Sequence, residues 1–205
     1  MPATDNQRRA VEAVVDPLLG RSLGELSMVA TTEKGLLGGL KIVVLLPVPN
    51  YPHREELEKR IAAAVGDRLA IETKVMDDDA RTAMMTALRD SAGPRVGQTG
   101  STTRVIAVSS GKGGVGKSSV TTNLAVALAR LGKRVGVIDA DIWGFSIPRM
   151  LGITDSPVVI DQSIIPPVAY GVRAMSMDFF VPDDKAVVWR GPMLHKAVEQ
   201  FITDV

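Results

Sequence analysis

The 205-residue sequence contains no cysteine, which excludes disulfide bonds and thiolate metal ligands. This suits a reducing cytoplasm, although other compartments would also tolerate it. Excess charge of either sign is also lacking: 24 basic and 23 acidic residues leave a formal charge of +1. No field over the whole molecule therefore draws it towards nucleic acid or an anionic membrane. We expect a cytoplasmic protein with neither as a partner.

Long hydrophobic runs are missing as well. The longest apolar stretch runs from Ile42 to Pro49, contains prolines, and is far shorter than the roughly 20 residues that span a bilayer. The polar N-terminus, M-P-A-T-D-N-Q-R-R, has no apolar segment of the kind found in export signals. With 45% hydrophobic residues, the chain has ample material for a buried core.

The first 90 residues predict a small α+β domain, 1–90, with alternating or β-branched strands and amphipathic helices. A linker, 91–103, follows, because S-A-G-P-R-V-G-Q-T-G-S-T-T is rich in turn formers and has no hydrophobic period. The predicted helices are Arg8 to Val15, His53 to Val65 and Ala80 to Arg89, and the predicted strands are Leu26 to Thr32, Lys41 to Leu46 and Ala70 to Met76.

Beyond the linker the pattern changes to strand, helix, strand. Val105 to Val108 and Arg134 to Ile138 predict strands that are buried on both faces, as a parallel sheet requires. The intervening helix should end at Gly132. Its apolar face is predicted from the helical spacing of Val120, Leu124, Ala127, Leu128 and Leu131.

A glycine-rich loop joins the first of these strands to the helix. Gly111 to Ser118 fits G-x-x-x-x-G-K-[ST], in which backbone N–H groups surround phosphate oxygens at a helix N-terminus. Lys117 would reach the β- and γ-phosphates of ATP, and the Ser118 hydroxyl would ligate Mg²⁺. The candidate nucleotide-binding residues are Gly111, Lys112, Gly113, Gly114, Val115, Gly116, Lys117, Ser118 and Ser119. The chain is therefore predicted to be α/β, a small α+β domain followed by a P-loop NTPase domain, 104–205, with a Rossmann-like parallel sheet.

Two carboxylates, Asp139 and Asp141, follow the second strand of this domain. Ligands of open α/β sheets bind at the carboxyl ends of the strands, so both acids are candidates for the phosphate site. A solvated turn with two acids is the alternative interpretation.

The string K-G-G-V-G-K-S resembles the deviant Walker A loop of MinD/ParA-type ATPases. That resemblance implies a homodimer in which Lys112 reaches the nucleotide of the partner subunit, whereas a solvent-facing lysine is the alternative. It also implies that Asp139 acts through the magnesium shell and that Asp141 positions or activates the attacking water. Lys117, Asp141 and Lys112 are then the candidate catalytic residues, and Ser118 and Asp139 the metal-binding ones.

Two longer strings narrow the resemblance to the Mrp/ApbC family of iron–sulfur cluster carrier ATPases. They are D-A-D-I-W-G-F-S-I-P-R-M-L-G, from Asp139, and V-V-W-R-G-P-M, from Val187. The first 90 residues resemble the small domain of bacterial members, with D-P-L-L-G-R-S-L from Asp16. The family implies ATP hydrolysis, a 4Fe-4S cluster, and partners that are scaffold proteins and client apoproteins.

The sequence departs from the family in several places. Leu18 stands where an acidic residue is usual, and Tyr51 stands at the usual cysteine. The second acidic switch, D-x-P-P-G-T-G-D, and the cluster ligands, C-P-x-C, are not found, so the P-loop domain is expected to be incomplete at its C-terminus. An apolar stripe at Leu194, Val198, Phe201 and Val205 supports this, because such a helix must bury its face. Two alternatives remain: a positioning or partition ATPase, and an inactive fragment that serves as a binding module.

Other candidates have simpler interpretations. Asp77 to Asp79 is expected to form a helix N-cap, with an acidic metal loop as the alternative. His53 and His195 are isolated in sequence, and Met175 and Met177 should lie in a core. Arg190 could contact phosphate or form a surface ion pair.

Overall fold

The computed structural model describes residues 5–34, 39–66, 69–141, 144–180, 196 and 198–202. The chain divides into two compact units, Met1–Ala92 and Gly93–Val205, here called the N-terminal and C-terminal units.

The N-terminal unit is a three-stranded sheet with helices. The strand order is β1-β2-β3, with β1 antiparallel and β3 parallel to the central strand. The strands and helices lie within two residues of their predicted bounds, except at α1 and the start of β1. Its elements are α1 (Asp5–Glu12), β1 (Val29–Lys34), β2 (Leu40–Leu46), α2 (Arg54–Val65), β3 (Leu69–Val75) and α3 (Asp78–Ser91).

The first helix and strand differ from the sequence prediction for local reasons. Helix α1 ends at Glu12 rather than Val15, because Val15 pairs with Ser22 in an isolated β-bridge. Strand β1 begins at Val29 rather than Leu26, since Leu26 is buried in the turn that precedes it. In both places tertiary packing outweighs local propensity.

A buried carboxylate organises the turn after α1. Asp16 is fully buried, and its Oδ1 accepts hydrogen bonds from the backbone N–H of Leu18 at 2.9 Å and of Leu19 at 2.7 Å. The Tyr51 hydroxyl donates to the same oxygen at 2.6 Å. Tyr51 therefore ties the loop before α2 to the turn after α1, at the position where the sequence resemblance places a cysteine.

The acidic run before α3 is a helix cap, as the sequence predicts. Asp77 adopts an extended backbone, and its carboxylate accepts a hydrogen bond from the N–H of Ala80 at 2.8 Å. Asp78 and Asp79 lie in the first turn, where negative charge favours the helix dipole.

The C-terminal unit contains one helix of 14 residues and a small mixed sheet. Strand β4 runs parallel to β8, from Val135 opposite Val172 to Asp139 opposite Ser176, and β7 pairs antiparallel on the far side of β8. The elements are α4 (Lys117–Arg130), β4 (Val135–Asp139), α5 (Ile147–Met150), β5 (Val158–Ile160), β6 (Ser163–Ile165), β7 (Val168–Ala169), β8 (Val172–Ser176) and a 3₁₀ turn (Met177–Phe180).

The strand predicted at Val105 to Val108 is not formed, and this prediction was wrong. Val105 is 74% and Ile106 62% exposed. A strand is stable only when a neighbour satisfies its backbone groups. Among the described residues the sheet order is β4-β8-β7, which leaves this segment without such a neighbour.

The prediction of the buried face of α4 was also wrong. Val120, Leu124 and Leu131 are exposed, and the helix packs through its smaller residues. Ala125 is buried in a cluster with residues of α5, β4 and β8, with Val126 and Ala129 packed against it. Small side chains let the helix approach the sheet closely, whereas the spacing of large apolar residues pointed to the opposite face.

The end of α4 agrees with the sequence. Gly132 has a φ of +75°, and its N–H donates to the carbonyl of Ala129 while that of Lys133 donates to Leu128. This pattern is the Schellman motif, which favours glycine.

A second hydrophobic cluster forms near the end of the described chain. Met175 and Met177 are buried, as predicted, with Phe201. The Phe201 ring stacks on Phe180 with 6.0 Å between centroids. Residues 198–202 are helical, and of the predicted stripe Phe201 is buried and Val198 partly buried. Leu194, Val205, His195 and Arg190 lie outside the described residues.

We predict that Tyr51→Phe destabilises the N-terminal unit, because it removes a donor from the buried Asp16 carboxylate. The expected loss is about 1–3 kcal/mol of the local free energy of unfolding. Hydrogen exchange over residues 11–28, read by mass spectrometry as urea is added, measures it. The control is Tyr170→Phe at the chain's other tyrosine, whose side chain is largely exposed. Equal exchange in the two variants would contradict the role of Tyr51.

Candidate functional site

The glycine-rich loop enters α4 through two left-handed residues. Gly114 has a φ of +73° and Gly116, the N-cap of α4, a φ of +91°. Residues with a Cβ rarely adopt this conformation, so both positions favour glycine. The motif therefore places glycine where the backbone turns into the helix.

The start of α4 is electrostatically unlike that of the other long helices. It has no acidic residue in its first turn, its N-cap residue is Gly116, which has no side chain to cap its N–H groups, and it begins at Lys117. Helices α2 and α3 both carry acids in their first turn. The first N–H groups and the positive dipole end of α4 thus favour an anion.

Asp139 ends β4 and holds the following loop in place. Asp139 is buried, with only 6% of its surface exposed. Oδ1 accepts from the N–H of Asp141 at 3.2 Å, and Oδ2 accepts from the N–H groups of Ser146 at 3.1 Å and Ile147 at 3.2 Å. Both oxygens are therefore engaged with backbone donors, and the loop folds around the carboxylate.

The loop brings two further side chains to the start of α4. Asp141 Oδ2 lies 3.9 Å from Lys117 Nζ, and the Asp141 side chain is 45% exposed. The Ser146 hydroxyl donates to Ser118 Oγ at 2.7 Å. The structure thus brings together Lys117, Ser118, Asp139 and Asp141, which the sequence places in two separate motifs.

The remaining predicted loop residues are exposed. The backbone N–H of Lys112 donates to Ser110 Oγ at 3.2 Å, and no ion pair of its side chain occurs among the described residues. Val115 is 52% exposed, and Gly111, Gly113 and Ser119 are also on the surface. Lys112 is therefore not joined to the Lys117 group within the chain.

Ser146 is the site residue that sequence reasoning missed. Its signal was present: a serine followed by I-P, in which proline marks the first turn of a helix and the serine its N-cap. That pattern predicts a cap, whereas the contact with Ser118, 28 positions away, depends on the tertiary packing of α5 against α4.

The side chains at the start of α4 fit Mg²⁺ only if phosphate and water complete its coordination shell. Ser118 and Asp141 offer hard oxygen atoms, but no cluster of three or more His, Cys, Asp or Glu residues that could hold a metal exists among the described residues. Mg²⁺ commonly takes one or two protein ligands and completes its shell with phosphates and water.

In the parts of the chain that are described, no helix is long and apolar enough to cross a membrane.

Comparison with known proteins identifies a family for this chain. Residues 101–205 match a family model described as ParA, the NUBPL iron-transfer P-loop NTPases. The chain belongs to this P-loop NTPase family.

Curated relatives carry a common name. An iron–sulfur cluster carrier protein of Mycobacterium tuberculosis is 44% identical over 97% of this chain and 54% of its own length. One from Bacillus subtilis is 39% identical over 98% of this chain and 58% of its own length. The chain thus spans little more than half the length of these relatives.

Among solved structures, the chain is similar to a nucleotide-binding protein of Archaeoglobus fulgidus in complex with ADP. The two sequences are 36% identical in the matched region, which covers 47% of this chain and 37% of the other chain. The TM-score is 0.39.

We predict that Asp139→Asn destabilises the C-terminal unit, because an amide replaces one of two oxygens that accept backbone N–H groups. The expected decrease in the free energy of unfolding is about 1–3 kcal/mol. Urea titration followed by circular dichroism measures it. Asp155→Asn, at an exposed acid of the same unit, is the matched control. A decrease no larger than that of the control would show that the carboxylate does not organise the loop.

Proposed function

We propose that this chain is part of an iron–sulfur cluster carrier that binds and hydrolyses ATP. The observation that carries the proposal is the convergence of Lys117, Ser118 and Asp141 at the uncapped start of α4. A positive helix terminus with a lysine, a hydroxyl and a carboxylate within reach is what phosphoryl transfer requires. Family membership and the names of the relatives support the choice of ATP and of clusters.

Each residue has a distinct role in the proposal. The N–H groups of the loop from Gly111 to Ser119 bind phosphate oxygens, and Lys117 neutralises charge on the β- and γ-phosphates. Ser118 would supply one oxygen to Mg²⁺, and Asp139 would act on the metal shell through the loop that it organises. Mg²⁺ would add Lewis-acid stabilisation of the phosphate charge. Asp141 orients the attacking water once Lys117 has turned to phosphate.

The 4Fe-4S cluster is the cargo in this proposal. Its thiolate ligands do not come from these 205 residues, which contain no cysteine. We propose a cytoplasmic homodimer that receives clusters from a scaffold protein and delivers them to client apoproteins. We also propose that 1–90 is the small domain, 91–103 the linker and 104–205 the P-loop ATPase domain, in line with the separation of the two units near Ala92.

For the nucleotide, we predict that Lys117→Ala weakens ATP binding by about ten- to a hundredfold, because it removes a charged hydrogen-bond donor to phosphate. Isothermal titration with MgATP measures the dissociation constant. Lys133→Ala removes an exposed lysine beyond the other end of α4 and serves as the control. If the two variants bind alike, Lys117 does not bind the phosphates.

For the homodimer, we predict that Lys112→Ala leaves ATP binding to the monomer within about twofold of wild type, because the loop N–H groups and Lys117 remain. It should, however, abolish ATP-dependent dimerisation. Light scattering with and without MgATP reports the change in mass, and Lys133→Ala should dimerise normally. ATP-dependent dimers of Lys112→Ala would place this lysine outside the partner's site.

A binding module that does not hydrolyse ATP is the second candidate. The segment around Val105 favours it. This segment is exposed and pairs with no strand among the described residues, so no rigid strand precedes the loop there. Phosphate release assays on the same protein separate the two candidates: MgATP binding with turnover supports the carrier ATPase, and binding without turnover supports the module. ATP-dependent sedimentation with DNA or lipid vesicles would instead indicate a positioning or partition ATPase.

A further inference from the structure

Ser146 occupies a helix N-cap without capping the helix. It lies immediately before α5, where a serine hydroxyl ordinarily accepts a hydrogen bond from the second or third N–H of the helix. No such side-chain bond is made here, and the hydroxyl contacts Ser118 Oγ at 2.7 Å instead. The residue therefore has a bonding preference that its local position does not explain.

The Asp139 carboxylate binds two backbone N–H groups at the start of α5. Its Oδ2 accepts from the N–H groups of Ser146 and Ile147, at the point where α5 begins. These two N–H groups are thus satisfied from β4, and the Ser146 hydroxyl turns towards α4. This exchange of partners places a hydroxyl donor beside the P-loop serine.

Packing fixes the distance between the two serines. Ile147 and Leu151, on either end of α5, are buried in the same cluster as Ala125 of α4. The Thr122 hydroxyl of α4 also contacts Met150 Sδ of α5, at 4.0 Å. The two helices are therefore held against each other by contacts that do not involve either serine. The Ser146–Ser118 hydrogen bond thus joins two helices whose relative position is already fixed.

We propose that Ser146 is a positioning residue for the metal-binding hydroxyl of Ser118. This rests on the proposed function, in which Ser118 ligates Mg²⁺ beside ATP. A free serine hydroxyl populates several χ1 rotamers, and a bond to one lone pair selects a rotamer while the other lone pair stays available to a cation. Ser146 thus prepares Ser118 for the metal, and does so without contacting nucleotide or metal itself.

The test separates the metal from the nucleotide. The 205-residue chain is prepared with Ser146→Ala, with Ser146→Thr, or with the control Ser156→Ala at an exposed serine of the same unit. Each variant is titrated with a fluorescent methylanthraniloyl ATP, once in Mg²⁺ and once in EDTA. The ratio of the two affinities is the gain from Mg²⁺. We expect Ser146→Ala to reduce this gain roughly three- to tenfold, the value of one hydrogen bond, with the affinity in EDTA unchanged. Ser146→Thr keeps a hydroxyl and should restore the gain, and Ser156→Ala should match wild type.

Each other result is decisive. An unchanged Mg²⁺ gain in Ser146→Ala, or a wild type with no gain, overturns the positioning role and leaves ATP binding standing. Equal losses in Mg²⁺ and EDTA, together with a lower melting temperature, show that Ser146 is only structural. No binding by wild type in either buffer refutes the proposed function, and the inference with it. Failure of Ser146→Thr to restore the gain also counts against the inference.

Discussion

The structure of the candidate site depends on one buried carboxylate, that of Asp139. It ends β4, and its two oxygens accept three backbone N–H groups from the loop that follows. A buried acceptor left without donors is costly, so the loop has little freedom to move away. This carboxylate constrains the positions of Asp141 and Ser146, since it binds the backbone N–H groups of both residues.

The same arrangement recurs in the N-terminal unit with different partners. Asp16 is fully buried and gathers two backbone N–H groups and the Tyr51 hydroxyl. In both units a carboxylate next to the end of an element fixes the chain that follows. The two units differ in what the loop offers. In the C-terminal unit the Ser146 hydroxyl contacts Ser118 and the Asp141 carboxylate lies near Lys117. In the N-terminal unit the Tyr51 hydroxyl donates to the buried Asp16 carboxylate.

Local chemistry made much of this predictable. Strands β2 and β3, the cap at Asp77 and the stop at Gly132 follow from alternation, capping and left-handed glycine, all read within a few residues. The strand at Val105 failed, because strand formation depends on a neighbour that local sequence does not specify. The prediction of the buried face of α4 failed because Ala125 packs closely as a small side chain. The spacing of large apolar residues gives no signal for such a contact. Ser146 was missed because its partner lies on another helix.

The ion pair between Lys117 and Asp141 makes the proposed site favour anions that carry several charges over anions that carry one. The pair is exposed and worth about 1 kcal/mol or less, so an arriving anion only has to match one carboxylate. A singly charged ion replaces that carboxylate at the lysine with only one equivalent charge. A polyphosphate brings several charges to the same ammonium and the adjoining amides at once, which makes crowded cellular monoanions poor competitors.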